Sequence, residues 1–347
     1  MRRSTLLASG LAGAAGLMIV SCAEVPDAPE SDDQIQAHLE EFLEENSGAF
    51  EEGVAVVVDG DELHWAAAGQ ADLQSVFEVA SLSKPLTGML LADAVDRGEV
   101  GLDDELGEHL PDLAGTAAGS VTLEELATHT SGLPLVPTAG GFADESDALR
   151  GQSQNPYPIT ADELIELAAG QDLGAAGSYL YSNMGVSLLG HALAEQAGVT
   201  YEDLLAQRLT GPLGMDRTFT SHHQGHESDE LLLPGHDRSG EEAESFASEA
   251  FSPSSSVRSS AGDYAALIQA INDGEAPGLA AIESSDLDAN MGLGWVVEAD
   301  FIWHNGISNG YASIVFIAPE EDLGVVVFSN LAYQNTHLGR QLIDSLR

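Results

Sequence analysis

The chain has almost no lysine and almost no cysteine. Of its 347 residues, 11 are basic and 57 acidic, a formal charge of -46, and ten of the eleven basic residues are arginine. So few cations exclude nucleic acid as a partner, because affinity for it comes from neutralising phosphates with Lys and Arg. They equally exclude a basic patch for an anionic membrane surface. A single cysteine, Cys22, excludes an intrachain disulfide and a Cys-based zinc site. The apolar stretch at residues 6–20 is too short for a bilayer core, which needs about 20 residues. What the charge favours is solubility where salt screens self-repulsion, and a salt-loving source is expected. One cation stands apart. Lys84 is the only lysine in the chain, and the residue before it is Ser83 rather than glycine, which excludes a Walker phosphate loop.

The two arginines Arg2 and Arg3 followed by the small, apolar residues 6–20 read as an export signal. The segment closes on Ile19-Val20-Ser21-Cys22, which resembles a lipoprotein box. The expectation is a signal peptide over residues 1–22, a lipid on the Cys22 sulfur, and an extracytoplasmic protein held to the membrane by that anchor. A plain secreted protein is the alternative. Residues 23–33 are acidic and contain proline, as suits a solvated tether.

Beyond the tether, apolar residues at Ile35, Leu39, Phe42 and Leu43 predict an amphipathic helix. Val54 to Val58, the turn signal Asp59-Gly60, and Leu63 to Ala68 predict a β-hairpin. The middle of the chain is mostly helical in pattern, broken by a loop-rich stretch over 134–158. Strand patterns return at 295–297, 301–303, 312–317 and 325–329, before a last helix at 337–346. Strands at both ends with helices between predict an α+β fold, an antiparallel sheet flanked by helices with an inserted helical subdomain.

Three constellations could carry chemistry. In Ser81-Leu82-Ser83-Lys84, residues three apart share a helix face, so the serine hydroxyl and the amine can meet. A serine needs a base to become a nucleophile, and a buried lysine with a depressed pKa can be one. Tyr181-Ser182-Asn183 opens a helical pattern; a tyrosine can relay protons, and an asparagine amide can bind a carbonyl. Alone, this is more often a helix cap with a packed tyrosine. His304-Asn305-Gly306 ends an aromatic strand, where a small residue lets the backbone approach a ligand.

Together the three resemble the serine β-lactamase-like and penicillin-binding superfamily, in the branch around class C β-lactamases, D-amino-acid peptidases and related esterases. The segments Phe77-Glu78-Val79-Ala80, Leu126 to Pro134 (LATHTSGLP), Gly211-Pro212-Leu213-Gly214-Met215 and Gly292-Leu293-Gly294-Trp295 fit as well. The resemblance implies one hydrolase domain over 34–347, with a sheet part at 34–115 and 253–347 and a helical insertion at 116–252. It implies acyl transfer through Ser81, with Lys84 and Tyr181 sharing the proton transfers and His304 supporting Tyr181 or touching the leaving group. The backbone N–H groups of Ser81 and Ile307 would form the oxyanion hole, Gly306 would lie beside them, and Asn183 would hold the acyl side chain's amide. The implied substrate is a small molecule or peptide with an amide or ester, and no metal or organic cofactor is needed. Two departures are plain: serines at 255–256 where the family often has glycines, and His304 where true β-lactamases usually carry lysine. The expected activity is therefore a D-amino-acid peptidase, carboxypeptidase-like, or esterase activity, with a true class C-type β-lactamase and a non-catalytic penicillin-binding-like sensor or scaffold as alternatives.

Two other patterns compete. Gly306-Ile307-Ser308-Asn309-Gly310 matches the G-x-S-x-G elbow of α/β-hydrolases, which must join a strand to a helix. Here strand patterns flank it on both sides. His222, His223 and His226 with Asp229 and Glu230 have no H-E-x-x-H spacing and read as a solvated acidic loop. His129 and Ser131 are assigned to a structural loop outside the site.

Overall fold

The computed structural model describes residues 33–175, 177–221, 232–333 and 336–347. Cys22, the signal-like segment, the tether up to residue 32 and the group His222, His223, His226, Asp229 and Glu230 lie outside the described residues.

The predicted hairpin forms β1 (Gly53–Asp59) and β2 (Glu62–Ala68), paired antiparallel with Asp59 opposite Glu62. A two-residue turn of this kind needs a positive φ, and Gly60 supplies +54°. The second sheet region brings three strands the sequence did not reveal: β3 (Val76–Glu78), β4 (Phe219–Thr220) and β5 (Val257–Ser260), in the order β3-β5-β4. They are too short and too serine-rich to show a period of two. The C-terminal part adds β6 (Val296–Val297), β7 (Ile302–Ile307), β8 (Ala312–Ala318) and β9 (Leu323–Ser329). The main sheet runs β2-β1-β9-β8-β7-β6, antiparallel throughout. Its centre joins the two ends of the described chain, with Val56 opposite Val326.

Alternation of side chains along a strand explains why the central strands read as unbroken apolar runs. Val54, Val56 and Val58 enter one core with Met89 and Leu90, while Ala55 and Val57 enter a second with Leu39, Phe42, Leu342 and Ile343. Both faces are covered. The terminal helices Asp33–Glu45 and Thr336–Leu346 shield one face, and the helix Ala261–Asn272 packs on the other. Between 116 and 252 the chain forms the helices Leu123–Ala127, Phe142–Arg150, Ala161–Ala169, Asn183–Ala197 and Tyr201–Leu205. Helix Ser83–Asp96 runs along the seam between these helices and the sheet, and every residue from Ser83 to Ala94 is buried. It is the helix that carries Lys84.

Candidate active site

Strand β3 leads straight into the site. After Val79 the chain makes a single 3-10 turn, Ala80–Leu82, before helix Ser83–Asp96 begins. Ser81 therefore lies on a turn just ahead of the helix rather than in its first α-turn. Ala80 has φ +47°, a left-handed conformation that costs an alanine energy and marks a sharp bend before the serine. The three-residue spacing still brings the two groups together. Lys84 Nζ donates to Ser81 Oγ at 3.0 Å and to the Ser254 carbonyl at 2.8 Å, and lies 4.7 Å from the centroid of the Tyr181 ring.

Lys84 is wholly buried. Loss of hydration holds its pKa well below the usual lysine range. Two glycines of the Gly292 to Trp295 segment make this burial possible. A Cβ on Gly88 would overlap the Leu293 carbonyl, and Gly294, at φ +75°, has the Lys84 carbonyl where its own Cβ would stand. Of the serines at 255–256, Ser255 Oγ meets Ser254 Oγ at 3.1 Å, which in turn meets Ser187 Oγ at 2.8 Å, while the buried Ser256 Oγ has no hydrogen-bond partner among the described residues.

Tyr181 sits just before helix Asn183–Ala197. Ser182 is the cap of that helix: its Oγ accepts from the Gly185 N–H at 2.8 Å and donates to the Pro134 carbonyl at 2.7 Å. The motif is a helix cap, and the same turn brings the Tyr181 ring to 4.7 Å from Lys84 Nζ. Burial raises the phenol above its ordinary range, and a hydrogen bond with the Ser81 side chain opposes that rise.

His304 lies on β7, buried, opposite Val315. Its Nδ1 contacts the Asn305 carbonyl at 2.8 Å, and a carbonyl can only accept, so Nδ1 carries the proton and Nε2 is the acceptor. Burial, with Lys84 adding to it, pushes the imidazole down to about 3, so the ring is neutral over the physiological range. Its centroid is 6.5 Å from that of Tyr181.

His129, set aside in the sequence reading, is packed closer still, its ring centroid 4.5 Å from Tyr181. Its Nδ1 accepts from the Ser182 N–H at 3.2 Å, which places its proton on Nε2. The positive φ of 62° at His129 is local structure no residue-type pattern announces.

Strand β7 passes beside the serine because residue 306 is glycine. A Cβ there would overlap the Val79 carbonyl and Ser313 Oγ and stand 3.0 Å from the Ser81 amide nitrogen. Ser313 Oγ, donating to that same carbonyl at 2.7 Å, fastens β8 to the turn. Ile307 ends β7 with its side chain partly exposed. Asn183 is buried, and its Nδ2 donates to Tyr157 Oη at 3.1 Å, a partner the sequence did not indicate. Ser308 lies between β7 and β8, a strand-to-strand connection, so the nucleophile elbow is not formed. Among the described residues no cluster of metal-binding side chains occurs.

Residues 35–345 match the family described as Beta-lactamase. The chain belongs to the beta-lactamase family. Members of that family are serine hydrolases that act on amides and esters. The D-alanyl-D-alanine-carboxypeptidase/endopeptidase AmpH of Escherichia coli (strain K12) is 33% identical over 233 residues, 63% of this chain and 58% of that protein. The chain thus matches less than two thirds of that relative's length. A Beta-lactamase of the same strain is 26% identical over 337 residues, covering 81% of this chain and 84% of that one. A class C beta lactamase from Rhodobacter sphaeroides superposes with a TM-score of 0.74 at 23% identity, over 90% of this chain and 99% of that one. That likeness establishes the shared fold, the antiparallel sheet flanked by helices.

Proposed function

We propose that this family member transfers an acyl group from an amide or ester to Ser81 and then to water, acting as an esterase or D-amino-acid peptidase. The observation that carries the reading is the only lysine of the chain, buried without hydration 3.0 Å from a serine hydroxyl. Burial makes the neutral form of that amine easier to reach, and the neutral amine can take the Ser81 proton as the oxygen attacks the substrate carbonyl. Negative charge on the carbonyl oxygen is met by the N–H groups of Ser81 and Ile307. Tyr181, whose phenol holds its proton firmly, passes a proton to the leaving group and is replenished from Lys84. His304 supports Tyr181 through its unprotonated Nε2. Water then attacks the acyl-enzyme by the same route in reverse.

A neutral His304 offers no fixed cation to a carboxylate on the leaving group. The favoured substrates are accordingly esters and amides whose leaving group lacks a carboxylate. The second reading, a β-lactamase, draws on the 26% identical Beta-lactamase of Escherichia coli. A panel of p-nitrophenyl esters, D-amino-acid amides and nitrocefin separates them, with covalent labelling by a fluorophosphonate alongside. Ser81→Ala should abolish turnover and labelling, and Ser308→Ala should keep the labelling. Nitrocefin turned over far faster than every neutral ester and amide would select the β-lactamase instead.

A further inference from the structure

Glu78, three residues before Ser81, is a buried carboxylate that the acyl-transfer chemistry does not use. It closes β3, opposite Arg258 of β5. Its Oε1 accepts from the Ser245 hydroxyl and from the Phe246 N–H at 2.7 Å, and Arg258 Nη2 donates to the same Ser245 oxygen at 3.0 Å. Its other oxygen, Oε2, has no hydrogen-bond partner among the described residues. Neither has the buried hydroxyl of Ser308, in the β7–β8 turn. The two needs are complementary, because a carboxylate oxygen accepts and a hydroxyl has a proton to give. Burial raises the Glu78 pKa, and Ser245, Arg258 and Ser308 are among the neighbours that draw it back.

Other contacts hold the β7–β8 turn against β3. Tyr311 Oη donates to the Leu233 carbonyl at 2.6 Å, and the Leu233 N–H donates to the Val76 carbonyl of β3 at 3.1 Å. The Ser308 N–H donates to the Tyr311 carbonyl at 3.0 Å and closes the turn on itself. Glu78 thus stands between two segments of the site. Its own strand runs into the turn at Ser81, and Ser308 directly follows Ile307. β3 and β7 belong to different sheets, so no strand ladder sets the spacing of the Ser81 and Ile307 N–H groups.

We propose that Glu78 is a positioning residue whose Oε2 takes the Ser308 hydroxyl and so fixes the Ile307 N–H relative to Ser81. The inference rests on the Ser81 acyl-transfer reading and on its assignment of the Ile307 N–H to the oxyanion. Ser245 and Phe246 hold the carboxyl by Oε1, which leaves Oε2 for one partner. Because the two oxyanion donors come from different sheets, side chains that cross the gap set their separation. A displacement of about 1 Å from the productive geometry can cost on the order of a hundredfold in rate.

Ser308→Ala removes the hydroxyl and leaves Glu78 opposite Arg258, so it is the deciding variant. On p-nitrophenyl acetate, in molar salt with the full chain, kcat should fall at least about tenfold with KM within about twofold of wild type. A smaller loss of kcat overturns the proposal. The thionoester of the same substrate reads the oxyanion contact itself, since sulfur is a weak acceptor. Wild type should favour the oxygen ester, and Ser308→Ala should lower that preference. A loss shared equally by both esters would make Ser308 a structural brace and overturn the proposal. Glu78→Gln should also lower kcat, and the double variant should be no slower than Glu78→Gln alone, as for two residues acting as one unit. Losses that add in the double variant overturn the proposal too. Should Glu78→Gln fail to fold with Arg258 left unpaired, the two esters on Ser308→Ala still decide. Failure of the underlying acyl-transfer reading is seen separately, as ester turnover persisting in Ser81→Ala.

Discussion

Lys84 and arginine at the same position would carry the same formal charge, but only lysine can lose its proton in a protein. Lys84→Arg should therefore keep the charge and lose the chemistry, with kcat/KM falling by more than about a hundredfold, roughly 2.7 kcal/mol in the barrier. Activity within about tenfold of wild type would mean the amine carries no proton. The pH profile gives a second check. Burial lowers the Lys84 pKa, so the neutral, proton-accepting amine is gained as pH rises through that lowered value, and kcat/KM should rise with it. His304 titrates near 3 and is already neutral along that limb. In His304→Gln the rate should drop while the acid limb stays in place. A limb that moves or disappears would assign it to the histidine.

Strand β7 serves the site through its backbone as much as through His304. Its approach to the turn at Ser81 is set by Gly306, since any side chain there meets the Val79 carbonyl and Ser313 Oγ. The ladder to β8 continues on the other edge, with Gly306 opposite Ser313 and Ile307 opposite Ala312. Gly306→Ala should thus displace the strand from the serine without dissolving the sheet. The expected result is a loss of kcat/KM of at least about tenfold, rising toward the hundredfold or more of a donor removed outright. Far-UV circular dichroism should remain that of wild type. Full activity would show that β7 lies farther from the reacting atoms than its contacts imply.

For the molecule as a whole, 57 acids against 11 bases dominate the surface electrostatics. Salt acts in two opposed ways. It weakens the surface ion pairs of Arg97, Arg340 and Arg347, each of which is worth little, and it screens the repulsion of the remaining carboxylates. With so few cations available to pair, the second effect prevails. The melting temperature should climb steeply from dilute buffer, where the Debye length is about 30 Å at 0.01 M, to molar salt, equally for NaCl and KCl. A flat profile over that range would remove the halophilic reading.

Much of the architecture was legible because it is local. Apolar runs marked β1, β8 and β9, the Asp59-Gly60 signal marked the hairpin turn, and the spacing of Ser81 and Lys84 set their contact within one turn of chain. The motifs shared with the family supplied Tyr181 and His304, whose distance along the sequence carries no physical information about their approach. Other features exist only in the folded chain. The small sheet β3-β5-β4 is built from strands too short to show a period. The His129 ring packs at a tilt against Tyr181, and Arg150 is joined to Asn183 through Tyr157, because loops distant in sequence close over one another. The depressed pKa of Lys84 belongs to this second kind as well. Sequence chose a lysine and its spacing from the serine; removal of water by helices and sheet packed around it decided its proton affinity, since desolvation depends on every neighbour at once.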